Sequence, residues 1–177
     1  MTRSLGLESG IVRLVEYDPG WPELFRREAE RIAAAIAPLA VRLEHVGSTA
    51  VPGLAAKPVL DILGGYAASA DLVPLIAVLG RAGYLHRGEQ GIPGREFFRR
   101  GEPRAYHLHL TAVGSGCWRD HLAFRELLRA DPGVRAAYAA LKRDLAGRYP
   151  HDREAYIEGK GPFVLEALRR SRSRGEA

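Results

Sequence analysis

Apolar positions recur along this chain at two periods, and the periods alternate. Phe25, Ala29, Ile32 and Ile36 follow Pro22 at helical spacing, which predicts a helix over residues 22–37. The short runs at 41–46 and 59–63 read as two buried strands. Gly64-Gly65 reads as the end of the second run. Leu72, Leu75, Ile76 and Leu79 predict another helix, with Ser69 or Asp71 as its cap. Residues 84–87 and 96–100 are expected as strands around the Gly91-Ile92-Pro93-Gly94 loop, and 106–113 as the last strand. Ahead of them all, residues 12–17 read as a short strand or an extended arm.

The remainder is helical. One helix is expected over 119–130, stopped near Asp131-Pro132-Gly133, and Val134, Ala137, Tyr138, Leu141 and Leu145 define a second. Phe163, Leu165 and Leu168 belong to a third, over 162–170. No repeat or interdomain linker interrupts this order. The expected fold is therefore α/β (α+β): a mixed sheet flanked by helices and closed by a C-terminal helical segment, with residues 1–168 as one domain.

Charge changes the picture at one end only. The net charge is +5, but Arg169, Arg170, Arg172 and Arg174 cluster in the last nine residues, opposed only by Glu176; without them the body carries +2. With no large apolar residue beyond Leu168, residues 169–177 are expected to be a disordered basic tail. A bare tail is not the stripe across a folded body that nucleic-acid binding uses, so a nucleic-acid partner is not expected. No apolar run is long enough to cross a membrane and no basic-then-apolar leader opens the chain, which predicts a soluble cytoplasmic protein without a membrane partner. Cys117 is the single cysteine, so no internal disulfide is possible. It follows Gly114-Ser115-Gly116, is expected in a loop, and has no paired base in the sequence.

Candidate chemistry concentrates between residues 44 and 62, where a buried strand, a Gly47-Ser48 turn and Pro52-Gly53 lead to a second strand carrying Asp61. Glycine lets backbone N–H groups approach a phosphate, serine adds a donor, and the acid can hold a divalent cation. The same residues also read as a tight turn with a buried acid bonded to backbone. Strand alternation puts Asp61 on one face with Val59 and Leu63, and puts His107, His109 and Thr111 opposite Tyr106, Leu108 and Leu110. If the two strands are neighbours, Asp61, His107 and His109 converge as a catalytic and metal-ligating set suited to zinc, manganese or iron, or as a histidine pair holding the acid. His45 lies on a buried strand and is expected to serve the core.

Lysine usage extends the set. The chain has 23 arginines but only Lys57, Lys142 and Lys160. Lys57, four residues before Asp61, can bind a phosphate or hold a carboxylate. Lys160 is expected just ahead of a helix beginning at Pro162, whose free N–H groups favour anions. Lys142 is expected to face solvent. Arg95, Arg99 and Arg125 are further anion candidates.

The segment Val46-Gly47-Ser48-Thr49-Ala50-Val51-Pro52-Gly53-Leu54-Ala55-Ala56-Lys57-Pro58, with Asp61 soon after, resembles the GrpB family. The likeness continues through Tyr17-Asp18-Pro19-Gly20-Trp21-Pro22, His107-Leu108-His109-Leu110, Phe124-Arg125-Glu126-Leu127-Leu128-Arg129 and Lys160. It implies a nucleotidyltransferase-like fold. Such enzymes place two acids two residues apart on this strand and a third on a later one. Here Leu63 stands at the second position, and His107 and His109 occupy the later strand. Two-metal phosphoryl transfer favours oxygen-rich ligands, so this set serves it poorly.

Three functions follow. The first is binding of a nucleotide or phosphorylated metabolite with a divalent metal (magnesium, manganese or zinc), Gly47, Ser48, Lys57 and Lys160 holding the phosphate. The second is a metal-assisted enzyme acting on a non-nucleotide. The third is a non-catalytic accessory module near coenzyme A metabolism, implied by family members fused to dephospho-CoA kinase.

Overall fold

The computed structural model describes residues 5–68 and 70–175. Helix α1 (Trp21–Ile36) leads to strand β1 (Arg42–Val46), a single 3-10 turn (Ser48–Ala50) and β2 (Leu60–Tyr66). Then come α2 (Leu72–Arg81), β3 (Leu85–His86), β4 (Arg95–Arg100) and β5 (Tyr106–Ala112). Three helices finish the chain: α3 (Gly116–Ala130), α4 (Pro132–Arg148) and α5 (Arg153–Gly175). The five strands form one mixed sheet, as the pattern of strands and helices predicts, in the order β1-β2-β5-β4-β3. Its central pair, β2 and β5, is parallel, and the other pairings are antiparallel.

The two faces differ in chemistry because strand side chains alternate. Ile62, Leu108, Leu110 and Phe98 point one way and pack under Ile32 and Ile36 of α1 and Leu75 and Leu79 of α2. Asp61, His107 and His109 point the other way, toward the side closed by the three C-terminal helices. Those helices carry smaller apolar clusters: Val51, Leu54, Leu128 and Tyr138 in one, and Val12, Leu145 and Tyr156 in another. Residues 12–17 form an extended arm tied to the body where Val15 and Ala56 exchange backbone bonds of 2.8 and 2.9 Å.

Several boundaries depart from the sequence pattern, each for a packing reason. Gly64 and Gly65 continue β2 instead of ending it: a Cβ on Gly65 would lie 2.4 Å from the Trp118 ring, so glycine here permits close approach. Helix α3 begins at Gly116, not near 119, because Ser115 accepts from the Trp118 N–H at 3.1 Å; Cys117 is therefore helical, not in a loop. Asp71 caps α2 through the Val73 N–H, and Ser69 lies outside the described residues.

The C-terminal end differs most. Helix α5 starts nine residues before Pro162 and runs through it. The glycines around Lys160 are packing residues: a Cβ on Gly159 would meet Leu145 Cδ2 at 2.6 Å, so α5 crosses close to α4 there. Residues 169–175, expected as a disordered tail, continue the helix, with Arg169 and Arg170 paired to Glu166. Glu176 falls outside the described residues.

Candidate functional site

Parallel pairing of β2 with β5 sets Asp61 directly beside His107 and Leu63 beside His109. Both imidazoles reach the same carboxylate oxygen: His107 Nδ1 lies 2.9 Å and His109 Nε2 3.3 Å from Asp61 Oδ1. Burial alone would raise the Asp61 carboxyl, but the hydrogen bonds from the two histidines outweigh it and hold the acid well below its ordinary range. Burial pushes both histidines the other way, down. The set is thus an ionised carboxylate between neutral rings. A carboxylate only accepts, so His107 Nδ1 and His109 Nε2 both donate. His109 Nδ1 is then free to accept from Arg95 Nη1 at 3.4 Å, while His107 Nε2 is buried with no partner.

Gly47 makes this arrangement possible. Its φ is +71°, and a Cβ there would sit 2.6 Å from Asp61 Oδ2. The following Ser48 opens the 3-10 turn, and its Oγ accepts from Lys142 Nζ at 3.0 Å.

A cleft of about 510 Å³ opens over this face, lined by Ser48, Asp61, both histidines and five cations: Lys57, Arg95, Lys142, Arg153 and Lys160. Tyr156 separates two of them, with Lys57 Nζ 5.0 Å and Lys160 Nζ 4.5 Å from its ring centroid. Burial, reinforced by Lys160, pushes Lys57 down to about 7. The same two causes bring Lys142 to about 7, and burial, partly offset by Asp61, brings Lys160 to about 8. The lining carboxylates besides Asp61 are Glu154 and Glu158, both exposed. The cleft is cationic and short of anions.

Asp61, His107, His109, Ser48, Lys57 and Lys160 thus all line one cleft, and Gly47 packs against Asp61. Lys160 arrives there from inside α5, not from a helix N-terminus. Lys142, expected in solvent, is 2% exposed and also donates to the Ala55 carbonyl. Its place was readable: it lies four residues after Tyr138 and three before Leu145, within the apolar stripe itself. Arg153 and Tyr156 carried no motif, since their role depends on how α5 docks. Arg125 is held away from the cleft by Glu44 and the His45 carbonyl. His45 serves the core as expected, stacked on Phe25 with centroids 4.8 Å apart. Cys117 does have a histidine neighbour, at 3.6 Å, but His121 Nδ1 is also bonded to the Cys117 carbonyl at 2.8 Å and burial pushes the thiol up.

Asp61, His107 and His109 offer three ligand atoms within 4.8 Å of one another. One ionised carboxylate and two neutral imidazoles form a donor set that fits zinc or manganese better than magnesium, which prefers oxygen.

Comparison with known proteins places this geometry among relatives. The family model described as GrpB protein matches residues 11–170. A UPF0157 protein of Pseudomonas aeruginosa is 41% identical over 165 residues, 90% of this chain and 67% of its own length. UPF0157 protein YqkA of Bacillus subtilis is 34% identical over 88% of this chain but only 46% of its own. A dephospho-CoA kinase of Mycolicibacterium paratuberculosis is 34% identical over 90% of this chain and 46% of its own, so the chain spans under half the length of these two. The crystal structure of GrpB from Enterococcus faecalis aligns with a TM-score of 0.82 and 30% identity, covering 93% of this chain and 100% of that one. Terminal uridylyl transferase 4 from Trypanosoma brucei, with bound dUTP, gives 0.54 at 16% identity over 91% and 56% of the two chains. At that identity the likeness is one of fold, and the fold is nucleotidyltransferase-like. Among the described residues, no helix is long and apolar enough to cross a membrane.

Proposed function

The chain belongs to the GrpB family, and from that premise we propose that its cleft binds a nucleotide or another phosphorylated small molecule together with a divalent metal. The observation that carries this reading is the concentration of Lys57, Lys142 and Lys160 in one cleft beside Ser48, with no buried anion beyond Asp61 to neutralise them. A buried ammonium without a counter-charge is costly, and a phosphate supplies several acceptors and the charge together. Gly47 and Ser48 border the phosphate, the lysines neutralise it, and Asp61, His107 and His109 hold the metal. When bound, the metal would offset phosphate charge that the lysines leave. The trypanosomal neighbour of like fold holds dUTP, which makes nucleoside triphosphates the first ligands to try.

A second reading keeps the binding and drops the chemistry. It rests on Leu63, fully buried against Val46 and Trp118 where a transferase would carry its second acid. An accessory role, such as the matched dephospho-CoA kinases suggest, needs no such acid. Thermal melts with nucleoside triphosphates, with and without manganese or zinc, test the binding claim. A rise in melting temperature that needs both nucleotide and metal and disappears in Asp61→Asn supports it. No rise with any phosphate compound contradicts it. Transfer of labelled nucleotide to an acceptor then separates an enzyme from a binding module.

A further inference from the structure

We propose that Arg99, Arg104 and Arg153 form a second oxyanion subsite where the cleft face of the sheet meets the β4–β5 turn, which takes the carboxylate or phosphate of a group other than the one held beside Ser48 and Lys142. This rests on the phosphate-site reading only for the assignment of the lysine end; its own foundation is the arginines. Arg99 pairs with His107 across the β4–β5 ladder, so its side chain shares the face that carries Asp61. Arg104 stands in the β4–β5 turn, where its carbonyl accepts from the Leu7 N–H at 3.0 Å and the Ala105 carbonyl from Leu60 at 2.9 Å. That turn is fixed by backbone, yet the Arg104 side chain, 7% exposed, has Nε and Nη2 buried with no acceptor. Arg99 Nε and Arg153 Nε are buried and unpartnered as well.

Arg104 and Arg153 feel the charge of Asp61, and Arg153 that of the exposed Glu154, but Asp61 is already engaged by His107 and His109 and the buried N–H groups of the three arginines are left without an acceptor. Arg99 and Arg104 line one pocket, and Arg153 lines the cleft together with His107, the register partner of Arg99; burial first, then the charges of Arg153 and Arg99, lower Arg104 to about 10, with Asp61 opposing. The cations also fall into an order. Lys142 feels Lys160 and Lys57, Lys57 feels Arg153 and Arg104, and Arg104 feels Arg99. Positive charge thus extends from Lys142 beside Ser48, through Lys57 and Arg153 in the cleft, to Arg104 and Arg99 in the pocket they share, and its two ends are chemically different. Flexible lysines serve one, and planar N–H forks suited to two-oxygen recognition serve the other. Water could satisfy single N–H groups there but not the summed charge. An oxyanion answers both.

Calorimetry and thermal melts of the 177-residue protein with inorganic phosphate and with acetate test this, using Arg104→Met and, at the other end, Lys57→Met. The wild type should take two equivalents of phosphate. Arg104→Met should weaken one of them by about tenfold or more, the loss of a charged hydrogen-bonding fork, and should melt no lower than wild type without ligand. Lys57→Met should keep that equivalent and lose the other. Acetate that competes for the arginine end identifies a carboxylate subsite, and acetate that fails identifies a phosphate one. Should Arg104→Met not fold, Arg99→Gln carries the same expectation. Two equivalents retained in the arginine variants, or a melt several degrees lower with an unchanged phosphate response, would make the arginines structural. A single equivalent lost only in Lys57→Met overturns the subsite and leaves the lysine end standing. The reverse loss supports the subsite and overturns the lysine end, and no phosphate binding at all overturns both.

Discussion

Adjacent arginines on β4 reach opposite faces of the sheet and meet opposite fates. Arg100 turns to the face covered by α1 and α2 and donates to Glu28 Oε2 at 3.0 Å. Glu28, 4% exposed, also receives Arg31 at 2.8 Å and the Tyr84 hydroxyl at 2.6 Å. Arg99 turns to the cleft face, where its Nε has no acceptor; it lines a pocket with Arg104 and feels the charge of Arg153. One cluster gathers cations around an acid that uses them; the other gathers cations around an acid already satisfied by His107 and His109. Removing one partner from a satisfied buried cluster is costly, and unsatisfied buried charge calls for an explanation, which the proposed ligand supplies.

The contrast can be broken most severely at Glu28. Glu28→Ala leaves the Tyr84 hydroxyl and Arg100 without their acceptor and Arg31 with the Ala82 carbonyl alone, and should cost about 2–4 kcal/mol in denaturant unfolding, discounted for the partial exposure of both arginines. A loss below about 1 kcal/mol would remove the structural half of the comparison. Next comes Gly47→Ala, which forces a left-handed backbone on alanine and drives its methyl into Asp61; about 1–3 kcal/mol of stability should go, along with any metal-dependent ligand response. An unchanged response would mean that the Gly47–Asp61 contact is only a turn.

The lysines offer a gentler test with a definite sign. Lys57 and Lys142 lie near 7 in the folded protein against an ordinary 10.5, so above about 7 the unfolded chain binds more protons. Stability of the ligand-free protein should therefore rise from pH 7 to 9, with the burdened form fully present below that window. Lys142→Met should flatten part of the rise without lowering the melt at pH 7, and saturating phosphate should flatten it too. A stability that falls from pH 7 to 9 contradicts the depressed lysines. The smallest effect belongs to the chain end: removing residues 169–177 deletes exposed ion pairs and should change stability by less than about 1 kcal/mol. A drop of several degrees in the melt would show that the end of α5 docks.

The two faces were not equally legible in the sequence. Alternation on 59–63 and 106–113 fixed which side chains share a face within each strand, and the convergence of Asp61, His107 and His109 needed in addition that the two strands pair, as β2 and β5 do. The apolar face followed from the same periodicity, but the strand order did not. What the chain did not disclose depends on helices meeting helices. Gly159-Lys160-Gly161-Pro162 has the composition of a turn, yet Gly159 is there to let α5 approach Leu145. Propensity lost to packing, so the start of α5, and with it Arg153 and Tyr156, stayed out of view. Lys142 is a different case. Its position in the apolar stripe pointed inward, and only the habit of placing lysine in solvent argued otherwise.

The claim that the unpaired cations await a phosphate ligand is tested most directly by a crystal structure grown with manganese and a non-hydrolysable nucleoside triphosphate, with anomalous scattering to find the metal. The account predicts an anomalous peak among Asp61, His107 and His109, and phosphate oxygens in contact with Ser48, Lys57 and Lys160. Manganese absent from that set, with the phosphates elsewhere or the lysines still facing only water, would contradict it.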